Sequence, residues 1–137
     1  VINDKDQLLS TLQAQLDKAL SLEPNNPNVN LLYAQYYYNK GIVALEDAAK
    51  IKGTTLTADQ KKNKADLTTQ GTEFLNKAIP YAENASTTLE AGYKKSEKSR
   101  YKSTVNLLQN IYQSLGNKEK LKVYQDKYDQ ADTKFVQ

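Results

Sequence analysis

At 137 residues, with 39% apolar and 26% charged side chains and a net charge of +3, the chain is the size of one ordinary domain and suits solvent-faced helices around a narrow core. It contains neither Cys nor His, which excludes disulfides, thiolate chemistry and imidazole acid–base work. No apolar run of about 18 residues reads as a membrane span, and no Gly-rich phosphate loop or metal-ligand spacing implies a cofactor.

Val1 opens on the approach to a helix, as expected of a trimmed or processed chain, so the compartment stays open. Leu8, Leu9, Leu12, Leu16, Ala19 and Leu20 recur at three- and four-residue steps and predict a first helix over 4–22 with one apolar face. Pro24 and Pro27 forbid its continuation, and Pro27 suits the first position of a second helix. That helix carries Leu32, Tyr33, Ala34, Tyr36, Tyr37, Gly41, Ala44, Leu45, Ala48 and Ile51 over a wide face. Ending near Ile51, it would measure roughly 36 Å at 1.5 Å per residue.

Residues 52–57 read as a turn in which Thr57 caps a third helix and Gln60 reaches back to complete a capping box. The seam of helix three is Leu67, Gly71, Phe74, Ala78, Ala82, Ala85 and Leu89, close to a coiled-coil rhythm. Pro80 lies within this helix; the periodicity continues unshifted across it, so a kink is expected, with a break as the rival. Apolar residues thin out over 86–100, where a loop is expected, with Ser96 or Ser99 as cap for the next helix. Helix four then carries Tyr101, Val105, Leu108, Ile111, Tyr112 and Leu115. Gly116 can close it in the left-handed conformation, and Asn117 can cap a fifth helix bearing Leu121, Tyr124, Tyr128, Ala131 and Phe135, whose last residues are expected to fray.

Two stretches resemble the tetratricopeptide repeat. LDKALSLEPNNPN at 16–28 is similar to the junction between repeats, and NIYQSLGNKEKLKVY at 110–124 to the turn inside one. Leu12, Leu16, Ala19 and Pro24 resemble the second half of a repeat whose first helix is missing, and Tyr33, Ala34 and Tyr37 the first helix of the next. Ala78 and Ala85 resemble its second helix; Leu108, Tyr112 and Gly116, then Leu121, Tyr124 and Tyr128, resemble a last repeat. Against a period of about 34 residues, about 30 extra residues separate Gly41 from Ala78 and about a dozen precede Lys102, so the middle repeat must be elongated. Some bacterial tetratricopeptide proteins look similar. The resemblance implies an all-α fold of antiparallel hairpins stacked as a short right-handed solenoid of about five helices. The chain then divides into an incomplete repeat at 1–24, an elongated one at 27–89 and a last one at 96–137.

By the same resemblance, a partner would lie on the concave surface of the first helices. Here that surface comprises Asn28, Leu31, Gln35, Tyr38 and Asn39 of helix two with Ser103, Asn106, Asn110, Gln113 and Ser114 of helix four. Asn and Gln side chains can bond the backbone of an extended peptide, and Tyr38 offers contact area at small entropic cost; the plainer reading is a solvated polar face. No Lys or Arg joins Asn106 and Asn110, which argues against a clamp for a terminal carboxylate.

Other features weigh less. Tyr36, Tyr37 and Tyr38 are about 100° apart on a helix and cannot all face one core, so two should pack between helices and one lie at a boundary. The middle of the chain is basic, with nine cationic against six acidic residues over 52–101 and its densest run at Lys94, Lys95, Lys98, Arg100 and Lys102. Tyr93 and Tyr101 nearby could stack bases, yet no nucleic-acid motif is present and a solvated helix start looks the same. Glu46 with Asp47, and Asp126 with Asp129 and Asp132, are the only close acidic groups; the first two point apart and the others lie on an exposed face. Asn84-Ala85-Ser86 is a chance glycosylation acceptor. The sequence thus predicts a non-enzymatic scaffold for a protein or peptide partner, without a cofactor, a metal or a membrane span. The alternative is a self-association module in which a second copy covers Leu8, Leu12 and Leu16.

Overall fold

The computed structural model describes residues 4–137, apart from the side chains of Lys5, Asp6 and Leu9; Val1 and Leu9, both used in reading the first helix, lie outside the described residues. Five helices follow one another: α1 (Asp4–Leu22), α2 (Pro27–Lys50), α3 (Ala58–Glu90), α4 (Lys98–Leu115) and α5 (Lys118–Lys134). The fold is all-α, built of antiparallel hairpins packed side by side with the α2–α3 pair extended. No helix among the described residues is long and apolar enough to cross a membrane.

Each junction follows from local chemistry. Between α1 and α2 the Asn26 side chain accepts from the amides of Asn28 (2.9 Å) and Val29 (3.2 Å), and Pro27 occupies the first turn, where its missing N–H costs nothing. Asn30, 2% exposed, donates to the carbonyls of Pro24 (2.9 Å) and Asn26 (3.1 Å) and to Oδ1 of Asn84 (3.3 Å). Asn84 in turn donates to Asn25 at 3.1 Å, which fastens the turn to α3. At the far end Thr57 and Gln60 form the expected capping box, with bonds of 3.1 and 2.8 Å. Gly116 closes α4 at φ 72°, a conformation that strains other residues, and Asn117 accepts from the Lys120 amide at 3.0 Å.

Within the hairpin, Asn30 faces Asn84, Tyr33 stacks on Tyr81 at 4.6 Å, and Lys64 reaches the Ile51 carbonyl at 3.0 Å near the tip. At mid-length Gly41 and Gly71 let the two backbones approach. A Cβ on Gly71 would stand 2.7 Å from Leu45 Cγ and 2.9 Å from the Gly41 carbonyl oxygen, closer than any real contact. Pro80 does not break α3, which continues from Ala58 to Glu90. The proline and Asn76, whose carbonyl it leaves unbonded, are both exposed, so water can satisfy that carbonyl.

The principal core lies where α3, α4 and α5 meet. Leu75, Ala78, Ala82, Val105, Leu108 and Ile111 are wholly buried there, joined by Tyr101, Tyr112, Tyr124 and Phe135. Burying one such leucine contributes about 1.5–3 kcal/mol. Leu75 carries the α3 contact more deeply than Phe74, the seam residue predicted from spacing, because the heptad drifts against 3.6 residues per turn.

Two expectations are corrected. The loop placed over 86–100 shrinks to 91–94, since α3 runs on through buried Ser86 and Leu89, and a 3-10 turn at Lys95–Glu97 leads straight into α4. Neither Ser96 nor Ser99 caps α4; its cap position is Glu97, which makes no side-chain capping bond. The end of the chain is docked: Phe135 is 1% exposed, packed at 4.5 Å on Tyr101 and edge-on to Tyr93 at 5.2 Å, and the Gln137 carbonyl accepts from the Lys95 amide at 2.8 Å.

Candidate interaction surface

The two sides of α3 differ in what they leave open. On the α4–α5 side the polar groups are internally satisfied. Glu83, half-buried on α3, accepts from the hydroxyls of Tyr112 (2.8 Å) and Tyr124 (3.2 Å). One helical repeat later Glu90 accepts from Tyr101 (2.7 Å) and from Lys127 (2.6 Å). Burial and the nearby carboxylates push the phenols of Tyr101, Tyr112 and Tyr124 well above the ordinary tyrosine range. Burial alone would raise Glu90, but the bonds from Lys127 and Tyr101 outweigh it and hold the carboxyl below its usual value. These bonds tie α4 and α5 to α3 in register.

Three members of the basic run near α4 are likewise engaged, while Lys94 and Lys95 are exposed. Lys98 and Lys102 both reach Asp132, at 3.5 and 3.2 Å, and Arg100 pairs with Glu97. Of the acidic trio, Asp126 pairs with Lys122 at 2.6 Å. Among the described residues no three acidic side chains are grouped to hold a metal ion.

On the other side, α1 touches α2 mainly through its second half. Leu16 is 5% exposed and Gln13 accepts from the Tyr36 hydroxyl at 2.9 Å, whereas Leu12 and Leu8 are 41% and 71% exposed. Leu12 forms the α1 edge of an open groove of about 570 Å³. Its floor is α2 from Leu32 to Asp47, about 22 Å at 1.5 Å per residue, and Leu67, Gln70 and Phe74 of α3 form the far wall. The lining is chiefly apolar, with Leu32 and Val43 about half exposed at its rim. Lys40 stands over the rings of Tyr36 (4.8 Å) and Phe74 (5.4 Å), and Lys77 over Tyr37 (5.9 Å) and Phe74 (5.6 Å). Neither lysine has a carboxylate in ion-pair range among the described residues, while the groove's own Asp47 is paired with Lys50 at 3.2 Å. The unneutralised charge of the groove is therefore positive.

The predicted concave set is distributed over several surroundings. Gln35 and Asn39 line this groove. Leu31 and Tyr38 are half-buried against the core, Asn28 is exposed, and Asn106 lines a separate, polar hollow of about 420 Å³ with Lys98, Lys102 and Tyr128. Asn110 is half-buried and Gln113 exposed, and neither of these two hollows joins the α2 and α4 sets. Of the three consecutive tyrosines, Tyr36 is buried and the other two half-buried, so all three serve packing. Of the groove residues, Leu32 and Leu67 were read from the sequence only as parts of apolar helix faces, and Lys40 and Val43 were not singled out. A signal was nonetheless present in α2, whose apolar face is wider than one neighbouring helix can cover.

No family model matches the chain, and no curated protein or solved structure does so either.

Proposed function

We propose that this protein is a non-enzymatic interaction module that docks a protein or peptide segment in the groove between α1 and the α2–α3 hairpin. The resemblance of residues 16–28 and 110–124 to tetratricopeptide repeats, a family of binding scaffolds, supports the general role. The observation that carries the site is the groove itself: a long, open, apolar trough rimmed by half-exposed Leu32 and Val43. Contiguous exposed apolar surface of this kind marks interaction sites, and a trough between helices takes a helical segment with anchors at i, i+3 or i+4 and i+7.

Panning a displayed peptide library on the protein tests this. Selected peptides should show helical apolar spacing and lose roughly tenfold or more in affinity for the exposed-site variant Val43→Asp, as expected when an anchor pocket gains a charge. The triple variant Tyr38→Ala, Asn106→Ala, Asn110→Ala should bind them unchanged. The reverse pattern would move the site to the predicted concave face.

A further inference from the structure

Resting on the reading of the groove as a docking surface, we propose that its occupant is the α1 helix of a second copy of this chain, exchanged reciprocally in a twofold dimer. Both halves of the required fit are displayed on one chain. α1 presents Leu8 and Leu12 to solvent, and the trough that Leu12 edges presents half-exposed Leu32 and Val43. A closed dimer needs self-complementary surfaces of this kind, in which each face meets the other twice across the axis.

Direction and charge agree with that arrangement. Gln13 of α1 bonds Tyr36 of α2, and the two helices are joined by a short turn, so α1 runs antiparallel to α2. A twofold axis perpendicular to α1 sets the second α1 antiparallel to the first, and hence parallel to the α2 it enters. With Leu8 of the second copy beside Val43, its exposed Asp4 falls one turn away, next to Lys40. The lysine brings the groove's unneutralised positive charge, and the incoming helix brings its carboxylate end, so apolar and charged contacts are satisfied in one register.

The chain lacks cysteine, so introduced thiols report contacts without background. Light scattering across a concentration series should show a dimer, and an equimolar mixture of the single variants Leu8→Cys and Val43→Cys should form a mixed disulfide between copies. Leu8→Asp and Val43→Asp, both at exposed positions that leave the fold intact by circular dichroism, should each raise the dimer dissociation constant roughly tenfold or more. Lys40→Asp should weaken the dimer, and Asp4→Lys in the same chain should restore it. A strict monomer up to high concentration overturns the inference, and so does a dimer indifferent to both aspartate variants. If peptides selected on the groove still bind that monomer, docking stands while the second copy as occupant does not.

Discussion

The α4–α5 end of the molecule and the α1 end are built from the same kind of amphipathic helix, yet one is closed and the other open. Around α4, Tyr101, Val105, Leu107, Leu108, Ile111 and Tyr112 are all buried, and the hydroxyls of Tyr101, Tyr112 and Tyr124 each find a carboxylate on α3. Among the described residues of α1 only Leu16 is fully buried, and Leu8, Leu12, Leu22, Leu32 and Val43 are open to solvent. A stripe on a helix records that burial is available; which stripes are used depends on how many neighbours the topology supplies. Where a helix has one neighbour instead of two, the surplus apolar face is the surface left for another molecule.

This contrast can be broken or sharpened by measurement. The largest effect is expected for Leu108→Ala, which empties a fully buried site between three helices and should cost about 2–5 kcal/mol in chemical denaturation. Gly71→Ala comes next. Its new methyl meets the Gly41 carbonyl oxygen at 2.9 Å, so backbone must move and about 1–3 kcal/mol should be lost. A stable Gly71→Ala protein would mean that the two helices are not held at this spacing.

High pH should act selectively on the closed end. Tyr101, Tyr112 and Tyr124 have phenols raised by burial and by their carboxylate neighbours. The unfolded chain releases these protons at pH about 10 while the folded one retains them, so the unfolded state binds fewer protons and stability falls as pH rises above that point. Melting temperatures should be level below this range and drop above it, and Glu83→Gln, which removes the carboxylate charge, should make the drop shallower. Glu90 has the opposite sign, because its carboxyl is held low in the folded state. Its contribution is present above the usual Glu range and is lost as pH falls through the folded value. The smallest effect belongs to Leu12→Ala at the open end. With the side chain 41% exposed, the loss should stay near 0.5 kcal/mol or less, and a cost comparable to Leu108→Ala would erase the contrast.

How much of this was legible beforehand depended on the range of the interactions. Helix ends set by local chemistry could be read directly: Pro27, the Thr57–Gln60 box, Gly116 and Asn117 each act within a few residues of themselves. The continuity of α3 through Pro80 followed from an unshifted period. What depended on distant partners was read less well. The stretch after Ser86 reads as a loop because its apolar residues thin out, whereas in the fold Glu90 is held by Tyr101 and Lys127 from remote helices. The tail looked free because the Tyr93–Tyr101 nest for Phe135 is assembled from remote segments. For the candidate site, Gln35 and Asn39 were recognisable as open positions on α2, but the angle at which α1 leaves the hairpin has no signature in a single helix. The groove was hidden for that reason.

The glycine contact at the middle of the long hairpin has a mechanical consequence. From Gly71 to the start of α3 at Ala58 the helix reaches about 20 Å beyond the point where the two backbones touch, so that point is the fulcrum of a lever. A small change in crossing angle there swings the distal arms by several times the displacement at the pivot. Since the trough straddles this point, from Leu32 to Asp47 on α2 and from Leu67 to Phe74 on α3, anything wedged into it would press on the pivot itself.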